Sequence, residues 1–197
     1  MKNLINKIKE LKKNKKLMSL IKQKLKEFAS NKNYFSELCF CLLTANASAE
    51  SGIKCQKALD KKFGILNERK LSQELKKLHY RFPNRRAHFI HQAQSRCNLL
   101  KEIKSMPSKE ARNFLVENFK GLGMKEASHF LRNIGRKDVA IIDRHILRSL
   151  GLKINSLTHK KYLKIENKLK QIAHYTGTNL AELDLMLWYT QTGKVLK

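Results

Sequence analysis

The sequence predicts an all-α fold, and three observations support this prediction. Apolar residues recur at helical spacing through most of the chain, as at Ala127, Phe130, Leu131 and Ile134. No stretch shows the consistent alternation of apolar and polar residues that marks a β-strand. The 197 residues include only two prolines and eight glycines, which suits helices joined by short connections. A chain of this length can form one medium domain or two small lobes.

The composition is strongly basic and indicates a polyanionic partner. There are 42 Lys plus Arg against 16 Asp plus Glu, a formal net charge of +26. Such an imbalance repels itself unless an anionic partner shares the surface, and nucleic acid is the commonest one. An anionic membrane is the alternative, but no apolar run approaches the roughly 20 residues that span a bilayer. The basic N-terminus does not resemble a signal peptide, so we expect an intracellular protein, in the cytoplasm or nucleoid.

The four cysteines do not form a metal-binding pattern. Cys39, Cys41, Cys55 and Cys97 include no C-x-x-C pair, and no histidine stands at zinc-finger spacing. We therefore interpret all four as small buried apolar residues, and we predict no metal site.

The first part of the chain predicts helices with a basic outer face and a buried core helix. Residues 1–26 hold ten lysines, with apolar residues at helical spacing, and predict an amphipathic helix or helix pair. Its lysines either are simply solvated or contact phosphate. Residues 34–43 are nearly all apolar and predict a core helix. After a small polar break at 44–48, the next helix is expected over 49–63.

A heavily charged loop follows a short amphipathic helix over residues 68–78. It runs from Tyr80 to Arg86 and contains three arginines beside Phe82. Arginine binds phosphate bidentately and an aromatic ring can wedge between bases, so this loop suits DNA contact; alternatively Phe82 tucks into the core. Pro83 disfavours helix at Phe82, and we expect Asn84 to cap a helix running towards Glu102.

A glycine hairpin connects a helix over 109–119 to the next one. Gly121 and Gly123 interrupt the helical pattern, Lys125 opens the following helix, and Gly135 is expected to close it. Such a turn directs backbone N–H groups outwards at a helix N-terminus, which is a phosphate site, although it also serves as a plain connection. A lysine in the first helical turn of a strongly basic protein is biased towards the neutral, nucleophilic amine.

Two carboxylates further along the chain stand out. Asp143 precedes a helical segment over 144–150 and is the expected N-cap, which keeps it ionised. An ionised carboxylate near an amine suits a reaction that builds positive charge on carbon, although capping alone also explains it. Asp184 lies among apolar residues of a last helix over 180–192, four residues before Trp188. A buried carboxylate needs a partner. We expect Asp184 either to cap a helix or pair with a lysine, or to line a ligand pocket.

Several motifs together resemble the base-excision DNA glycosylases. The string Gly121-Leu-Gly-Met-Lys125-Glu-Ala, followed at this distance by Asp143, is similar to their helix-hairpin-helix and aspartate signature. Its continuation to Gly135 resembles the archaeal-type 8-oxoguanine DNA glycosylase/lyase branch. The resemblance extends to 43–46, 81–87 and 183–197, and so covers most of the chain from about Tyr34.

The resemblance implies a role for each matching residue. Lys125 would attack C1′ of the damaged nucleotide and form a Schiff base that permits β-elimination, with assistance from Asp143. Gly121 and Gly123 would hold the DNA backbone. Base-recognition residues would be Asp184, Trp188 and Lys197, and the residues that fill the gap and contact the opposite strand would be Asn46, Arg81 and Phe82.

The resemblance also implies an architecture and a set of partners. The fold would have two helical lobes with DNA in the cleft between them: residues 1–28 with 144–197, and 29–143, with the hairpin motif at about 110–135. No iron-sulfur cluster is expected, because the sequence lacks the four closely spaced C-terminal cysteines that hold one. The sequence does not decide whether a monovalent cation binds at the hairpin. We expect a monomer that acts on double-stranded DNA containing oxidised guanine, without a membrane. The alternatives are a glycosylase for another oxidised base and a non-enzymatic helix-hairpin-helix protein.

Overall fold

In the computed structural model, which describes residues 2–197, these residues form eleven α-helices, two 3₁₀ helices and no strand. The predicted all-α class is therefore confirmed. The α-helices are α1 Lys2–Lys13, α2 Lys15–Ser30, α3 Tyr34–Thr44, α4 Ala49–Leu59, α5 Glu68–Lys77, α6 Pro83–Gln94, α7 Ser108–Asn118, α8 Met124–Asn133, α9 Arg144–Ser149, α10 His159–Thr176 and α11 Leu180–Thr192; the 3₁₀ helices are Asp60–Lys62 and Cys97–Lys104. None of the helices in this part of the chain is both long and apolar enough to cross a membrane.

The chain divides into two compact units. The central unit is Lys32–Phe130, and the terminal unit combines the chain up to Asn31 with Leu131–Lys197. The boundary falls within α8. This division differs from the sequence-based one at residues 29–31 and 131–143, which lie in the terminal unit. For the second range, hydrogen bonds explain the difference, because Ala140 N donates to Glu166 Oε2 and Leu180 N donates to Lys137 O, both within the terminal unit.

The central unit is organised around α3, which is buried along its length as its nearly continuous apolar sequence predicts. Leu38, Phe40 and Leu42 have no solvent exposure. The helix packs against α4, α6 and the 3₁₀ helix Cys97–Lys104, while α5 pairs with α6. Asn33 caps the start of α3 by accepting a hydrogen bond from Ser36 N.

The terminal unit joins the N-terminal helices to the last two long helices. The predicted amphipathic stretch is a pair, α1 and α2, separated at Asn14, whose side chain accepts a hydrogen bond from Leu17 N. The apolar stripe of this pair is buried at Ile8, Leu17, Ile21 and Phe28, with the lysines outside. Helix α1 packs against α10 and α11, and α2 packs against α11.

Two details of the helix boundaries differ from the sequence-based expectation. Asn84 does not cap α6, because Pro83 occupies the first turn and Phe82 is the N-cap residue. The Asn84 side chain instead accepts a hydrogen bond from Ser72 Oγ at 2.6 Å. The helix also ends at Gln94 rather than near Glu102, and the 3₁₀ helix follows it.

Candidate active site

The glycine hairpin of the central unit forms as the sequence predicted. Helix α7 ends at Asn118, Leu122 N donates to Phe119 O, and Ala127 N donates to Gly123 O at the start of α8. Gly121 has a φ of +93°, a conformation that residues with a Cβ rarely adopt. The turn therefore leaves the first N–H groups of α8 without helical partners, as every helix N-terminus does, and a phosphate can accept hydrogen bonds from such groups.

Lys125 lies in the first turn of α8, directly after the hairpin, and its side chain is 26% exposed. Its Nζ is 3.4 Å from Oε1 of the adjacent Glu126, whose side chain is 15% exposed. The sequence analysis did not single out Glu126, although a glutamate in the first turn of a helix is favoured by the helix dipole. An amine must be unprotonated to act as a nucleophile, so the reaction requires a group that accepts a proton from Lys125.

Asp143 caps α9, so the capping interpretation is confirmed. Its Oδ1 accepts a hydrogen bond from Ile146 N at 2.9 Å. The preceding apolar segment is held by α10, because the Tyr162 hydroxyl donates to Ala140 O at 2.6 Å and Ile142 N donates to that hydroxyl oxygen at 3.3 Å. One carboxylate oxygen of Asp143 is thus used by the cap, and the backbone before Asp143 is held in place by Tyr162. Its predicted catalytic role stays a prediction.

Asn46 and the charged loop lie side by side in the central unit. The buried Tyr80 hydroxyl donates to Leu43 O in the last turn of α3, and Arg86 Nη2 donates to Ala45 O, just after this helix, at 2.5 Å, so both ends of the loop bind the end of α3. Burial raises the pKa of Tyr80 and outweighs the opposing effect of Arg86. The hydroxyl therefore stays protonated and can donate. Asn46 lies in the turn that follows α3, where it is exposed and has a φ of +59°. The predicted gap-filling residue therefore stands on a rigid support.

The side chains of the charged loop do not all point outwards. Arg81 is exposed and its guanidinium carbon is 4.9 Å from the centre of the Phe82 ring, which is half-buried. Of the three arginines near Phe82, Arg86 is only 5% exposed. This arginine has a structural task, because it satisfies the buried carbonyl of Ala45.

Asp184 pairs with an arginine of the terminal unit. Its Oδ2 is 3.6 Å from Nη1 of Arg132, and the two side chains are 14% and 4% exposed. The predicted partner of this carboxylate was a lysine, so the identity of the cation differs. Arg132 is held in turn over the ring of Phe28, with 4.6 Å between the guanidinium carbon and the ring centre. Asp184 also lines a small apolar cavity together with Ile146 and Leu187.

Trp188 contacts a histidine that the sequence analysis overlooked. Its ring centre is 4.6 Å from that of His145, at an interplanar angle of 63°. Trp188 Nε1 and His145 Nδ1 are both buried without a hydrogen-bond partner among the described residues. The signal for His145 was its position two residues after Asp143. The third predicted base-recognition residue, Lys197, lies beyond α11 and is partly exposed.

The cysteines differ in their exposure. Cys39, Cys41 and Cys55 are buried as predicted, but Cys97 is exposed, so the expectation of four buried cysteines is wrong at this position. Cys97 begins the 3₁₀ helix that replaces the predicted continuation of α6. Burial raises the pKa of the Cys39 and Cys55 thiols. Within residues 2–197, no three His, Cys, Asp or Glu side chains are grouped as metal ligands.

Comparison with known proteins covers almost the entire chain. The family model for 8-oxoguanine DNA glycosylase matches residues 4–178. The chain is 48% identical to the 8-oxoguanine DNA glycosylase/AP lyase of Methanocaldococcus jannaschii, across 98% of this chain and 99% of that protein. It is 46% identical to the 8-oxoguanine DNA glycosylase/AP lyase of Korarchaeum cryptofilum, across 99% and 98% of the two chains.

The solved structures agree with these sequence matches. The Methanocaldococcus jannaschii 8-oxoguanine glycosylase/lyase in complex with a 15mer DNA containing 8-oxoguanine matches with a TM-score of 0.95 at 47% identity, covering 98% of this chain and 99% of that one. The resemblance seen in the hairpin, Lys125 and Asp143 is thereby confirmed. The helix-hairpin-helix chain described above belongs to the 8-oxoguanine DNA glycosylase family.

Proposed function

We propose that this protein is a bifunctional DNA glycosylase/AP lyase that removes 8-oxoguanine from double-stranded DNA and then cleaves the strand. The main support is the position of Lys125 in the first turn of α8, directly after the glycine hairpin. Its relatives, nearly half of whose residues are identical to this chain, are named for the same activity. The net charge of +26 adds the electrostatic attraction that a DNA-binding enzyme needs.

In the proposed reaction, Lys125 is the nucleophile. Its neutral amine attacks C1′ of the damaged nucleotide while the bond from C1′ to the base breaks, and the base leaves with the bonding electrons. Opening of the sugar ring then gives a Schiff base between Nζ and C1′. This imine acidifies C2′, so loss of a C2′ proton expels the 3′ phosphate by β-elimination. Water finally hydrolyses the imine and frees the lysine.

Asp143 is proposed to assist the lysine and to stabilise the positive charge that develops on the sugar. Its Oδ1 is engaged with Ile146 N, while Oδ2 makes no hydrogen bond with the described residues. A fixed carboxylate stabilises a developing cation without having to reorganise during the reaction. A lysine must lose a proton before it attacks carbon, and Asp143 is proposed to accept that proton.

The base is proposed to be recognised by Asp184, Trp188 and Lys197. A base that leaves the duplex stack needs an aromatic face and polar partners at its edge. Trp188 offers a ring and a buried N–H donor, and His145 beside it has a buried nitrogen, both without protein partners in the described part of the chain. Buried polar atoms of this kind cost about 1–3 kcal/mol each, which a hydrogen-bonding ligand offsets.

The remaining contacts are proposed to be made by the central unit. Asn46, Arg81 and Phe82 fill the gap and contact the opposite strand, and the N–H groups after Gly121 and Gly123 hold a phosphate. The chemistry needs no redox or metal cofactor, and a monovalent cation on the hairpin carbonyls would serve only to hold the turn. We also propose that the enzyme acts as a monomer, inside the cell, in the cytoplasm or nucleoid.

Borohydride trapping tests this function. Wild-type protein is mixed with a duplex containing 8-oxoguanine, and borohydride reduces the Schiff base to a stable covalent adduct. We expect an adduct with wild type, none with Lys125→Gln, and an undiminished one with Lys120→Gln, an exposed lysine in the same hairpin. An adduct that persists in Lys125→Gln contradicts the assignment of the nucleophile, and no excision by wild type contradicts the enzymatic function.

The role of Asp143 is tested by a substitution that keeps the cap. Asparagine is as good an N-cap as aspartate, so Asp143→Asn should preserve the fold and the affinity for duplex. Excision should slow by about two to four orders of magnitude, because the lost charge acts on the transition state. If the variant loses DNA affinity together with activity, Asp143 has only a structural role as the N-cap of α9.

The two alternatives predict different results in the same assays. A glycosylase for another oxidised base would form the covalent adduct more rapidly on a duplex carrying that base. Comparing excision rates across a panel of lesions therefore distinguishes such an enzyme from one specific for 8-oxoguanine. A non-enzymatic helix-hairpin-helix protein would bind DNA with steep salt dependence but excise nothing. The half-buried, ion-paired Asp184, four residues before Trp188 on α11, favours the enzyme, since plain DNA binding gives these side chains no task.

A further inference from the structure

The outer face of α2 carries a row of lysines that takes no part in the proposed reaction. Lys15, Ser19, Lys22 and Lys26 share this face, because successive members are four, three and four residues apart, which matches the turns of a helix. All three lysines are exposed. They line a groove of about 780 Å³ on the terminal unit, together with Lys12, Met18, Gln23 and Glu182.

The lysines of this row make no direct ion pair, and Glu182 is the one carboxylate among the described residues that line the groove. Lys15, Lys22 and Lys26 have no carboxylate within ion-pair distance among the described residues. Two lysines near this row are paired: Lys13 Nζ of α1 is 2.7 Å from Glu10 Oε1, and Lys24 Nζ of α2 is 2.5 Å from Glu27 Oε2. Like charges along one helix face destabilise the helix. The α2 row therefore gains stability from an anion bound across it.

Lys12 has a structural task at the end of this groove. Its Nζ donates hydrogen bonds to the carbonyl oxygens of Thr176 at 2.6 Å and Gly177 at 3.0 Å, where α10 ends. A cation at this position also complements the helix dipole. Lys12 therefore anchors α1 to α10, and Lys15, Lys22 and Lys26 are the lysines of this groove that remain available to a ligand.

The groove is separate from the residues proposed to recognise the base. Glu182 lines the groove, whereas Asp184 faces Arg132 and the small apolar cavity. Residues two positions apart on an α-helix point about 200° apart, so these two side chains lie on opposite sides of α11. A ligand in the groove would not occupy the space beside Asp184.

We propose that the α2 lysine row binds the phosphate backbone of DNA outside the lesion site, as a second DNA-binding surface. The choice of DNA as ligand rests on the function proposed above. A membrane fits less well, because the apolar stripe of α2 at Leu17, Ile21 and Phe28 is buried within the terminal unit and is not free to enter lipid. Contacts of this kind carry no sequence information, so the surface would hold flanking or neighbouring undamaged DNA.

The second surface is tested by the salt dependence of binding to undamaged DNA. The variant Lys15→Gln, Lys22→Gln and Lys26→Gln removes three charges at exposed helical positions, where glutamine has a helix propensity close to that of lysine. On an undamaged duplex of about 40 base pairs, the slope of log K against log salt should decrease by about 2 to 3, because each phosphate contact contributes about 0.9.

A matched control removes the same number of charges elsewhere. The variant Lys13→Gln, Lys24→Gln and Lys77→Gln changes lysines that are already paired with Glu10, Glu27 and Glu74. Its salt slope should stay within about 1 of the wild-type value, since these charges are locally compensated. Equal slopes for the two variants would overturn the proposal, because the effect would then follow net charge alone.

Two further measurements separate this proposal from others. Single-turnover excision at saturating enzyme should be unchanged in the α2 variant on a lesion duplex of about 12 base pairs, roughly one helical turn. A selective loss of that rate would place the lysines in the lesion site and overturn the idea of a second surface.

The second measurement is binding to anionic vesicles. If wild type binds these vesicles, and the α2 variant loses vesicle binding but keeps DNA binding, the proposal is overturned in favour of a membrane. If wild type excises no lesion but the α2 variant still loses salt slope, the second surface stands while the enzymatic function fails.

Discussion

Substitution of Gly121 by alanine tests how tightly the hairpin is built. Gly121 has a φ of +93°, and a Cβ built on its backbone would lie 2.4 Å from Cδ2 and 2.8 Å from Cγ of Phe89. Real Cβ atoms do not approach other heavy atoms so closely. Phe89 is only 8% exposed, so its ring has little room to withdraw. The methyl group therefore meets both a strained backbone and an occupied space.

The expected cost follows from these two effects. A non-glycine residue in the left-handed region loses about 1–2 kcal/mol. Inserting a methyl group into a well-packed interior costs about 1–3 kcal/mol more. We therefore expect Gly121→Ala to lower the free energy of unfolding by about 2 to 5 kcal/mol, a large fraction of the roughly 5–15 kcal/mol that stabilises a typical domain.

Urea denaturation measures this effect, with Gly123→Ala as the matched control. Gly123 does not have a positive φ, and the nearest atom to its added Cβ would be Glu126 Oε2 at 3.3 Å, the end of a flexible side chain. This control should change the free energy of unfolding by less than about 1 kcal/mol. Equal stability of the two variants would refute the reasoning, because the hairpin would then accommodate a Cβ at either glycine.

Two other predictions concern buried groups of the central unit. Tyr80→Phe should lower the free energy of unfolding by about 1–3 kcal/mol in the same urea titration, because the Leu43 carbonyl loses its buried donor; a change below about 0.5 kcal/mol would contradict this hydrogen bond. The thiols should react in two classes with a disulfide reagent at about pH 8. The exposed Cys97 should react rapidly, whereas the buried Cys39, Cys41 and Cys55 should react only after unfolding. Burial also raises the pKa of the Cys39 and Cys55 thiols, which leaves less of the reactive thiolate at that pH. Cys97→Ser should abolish the fast phase, and a fast phase that survives would show that a buried thiol is accessible.

Local sequence signals predicted the helices well. Asp143 is the N-cap of α9, and Gly135 ends the α8 segment in a turn where Arg136 N donates to Leu131 O and Gly135 N to Arg132 O. These features depend on residues a few positions apart, which is why a single sequence is enough to locate them. Asn84 was misassigned because two signals competed within the same turn, and the proline took the helix start.

The partners of the site residues were harder to predict. The pairing of Asp184 with Arg132 joins residues from different helices, and no spacing rule connects them. The same holds for Trp188 and His145, and for Arg86, which serves the Ala45 carbonyl instead of solvent. Glu126 was within reach of the sequence, because it adjoins Lys125, but only the structure shows that its carboxylate turns towards the amine.

The composition of the terminal unit has a consequence for how the chain folds during synthesis. Lys12 binds Thr176, 164 residues away, and α1 and α2 pack on α10 and α11. The N-terminal helices therefore leave the ribosome long before their partners exist, with the apolar stripe at Ile8, Ile21 and Phe28 uncovered. The contiguous central unit can fold first, whereas completion of the terminal unit waits for the last helix and requires closure of a long loop. During this interval the excess of lysine keeps the nascent helices of neighbouring chains apart by mutual repulsion.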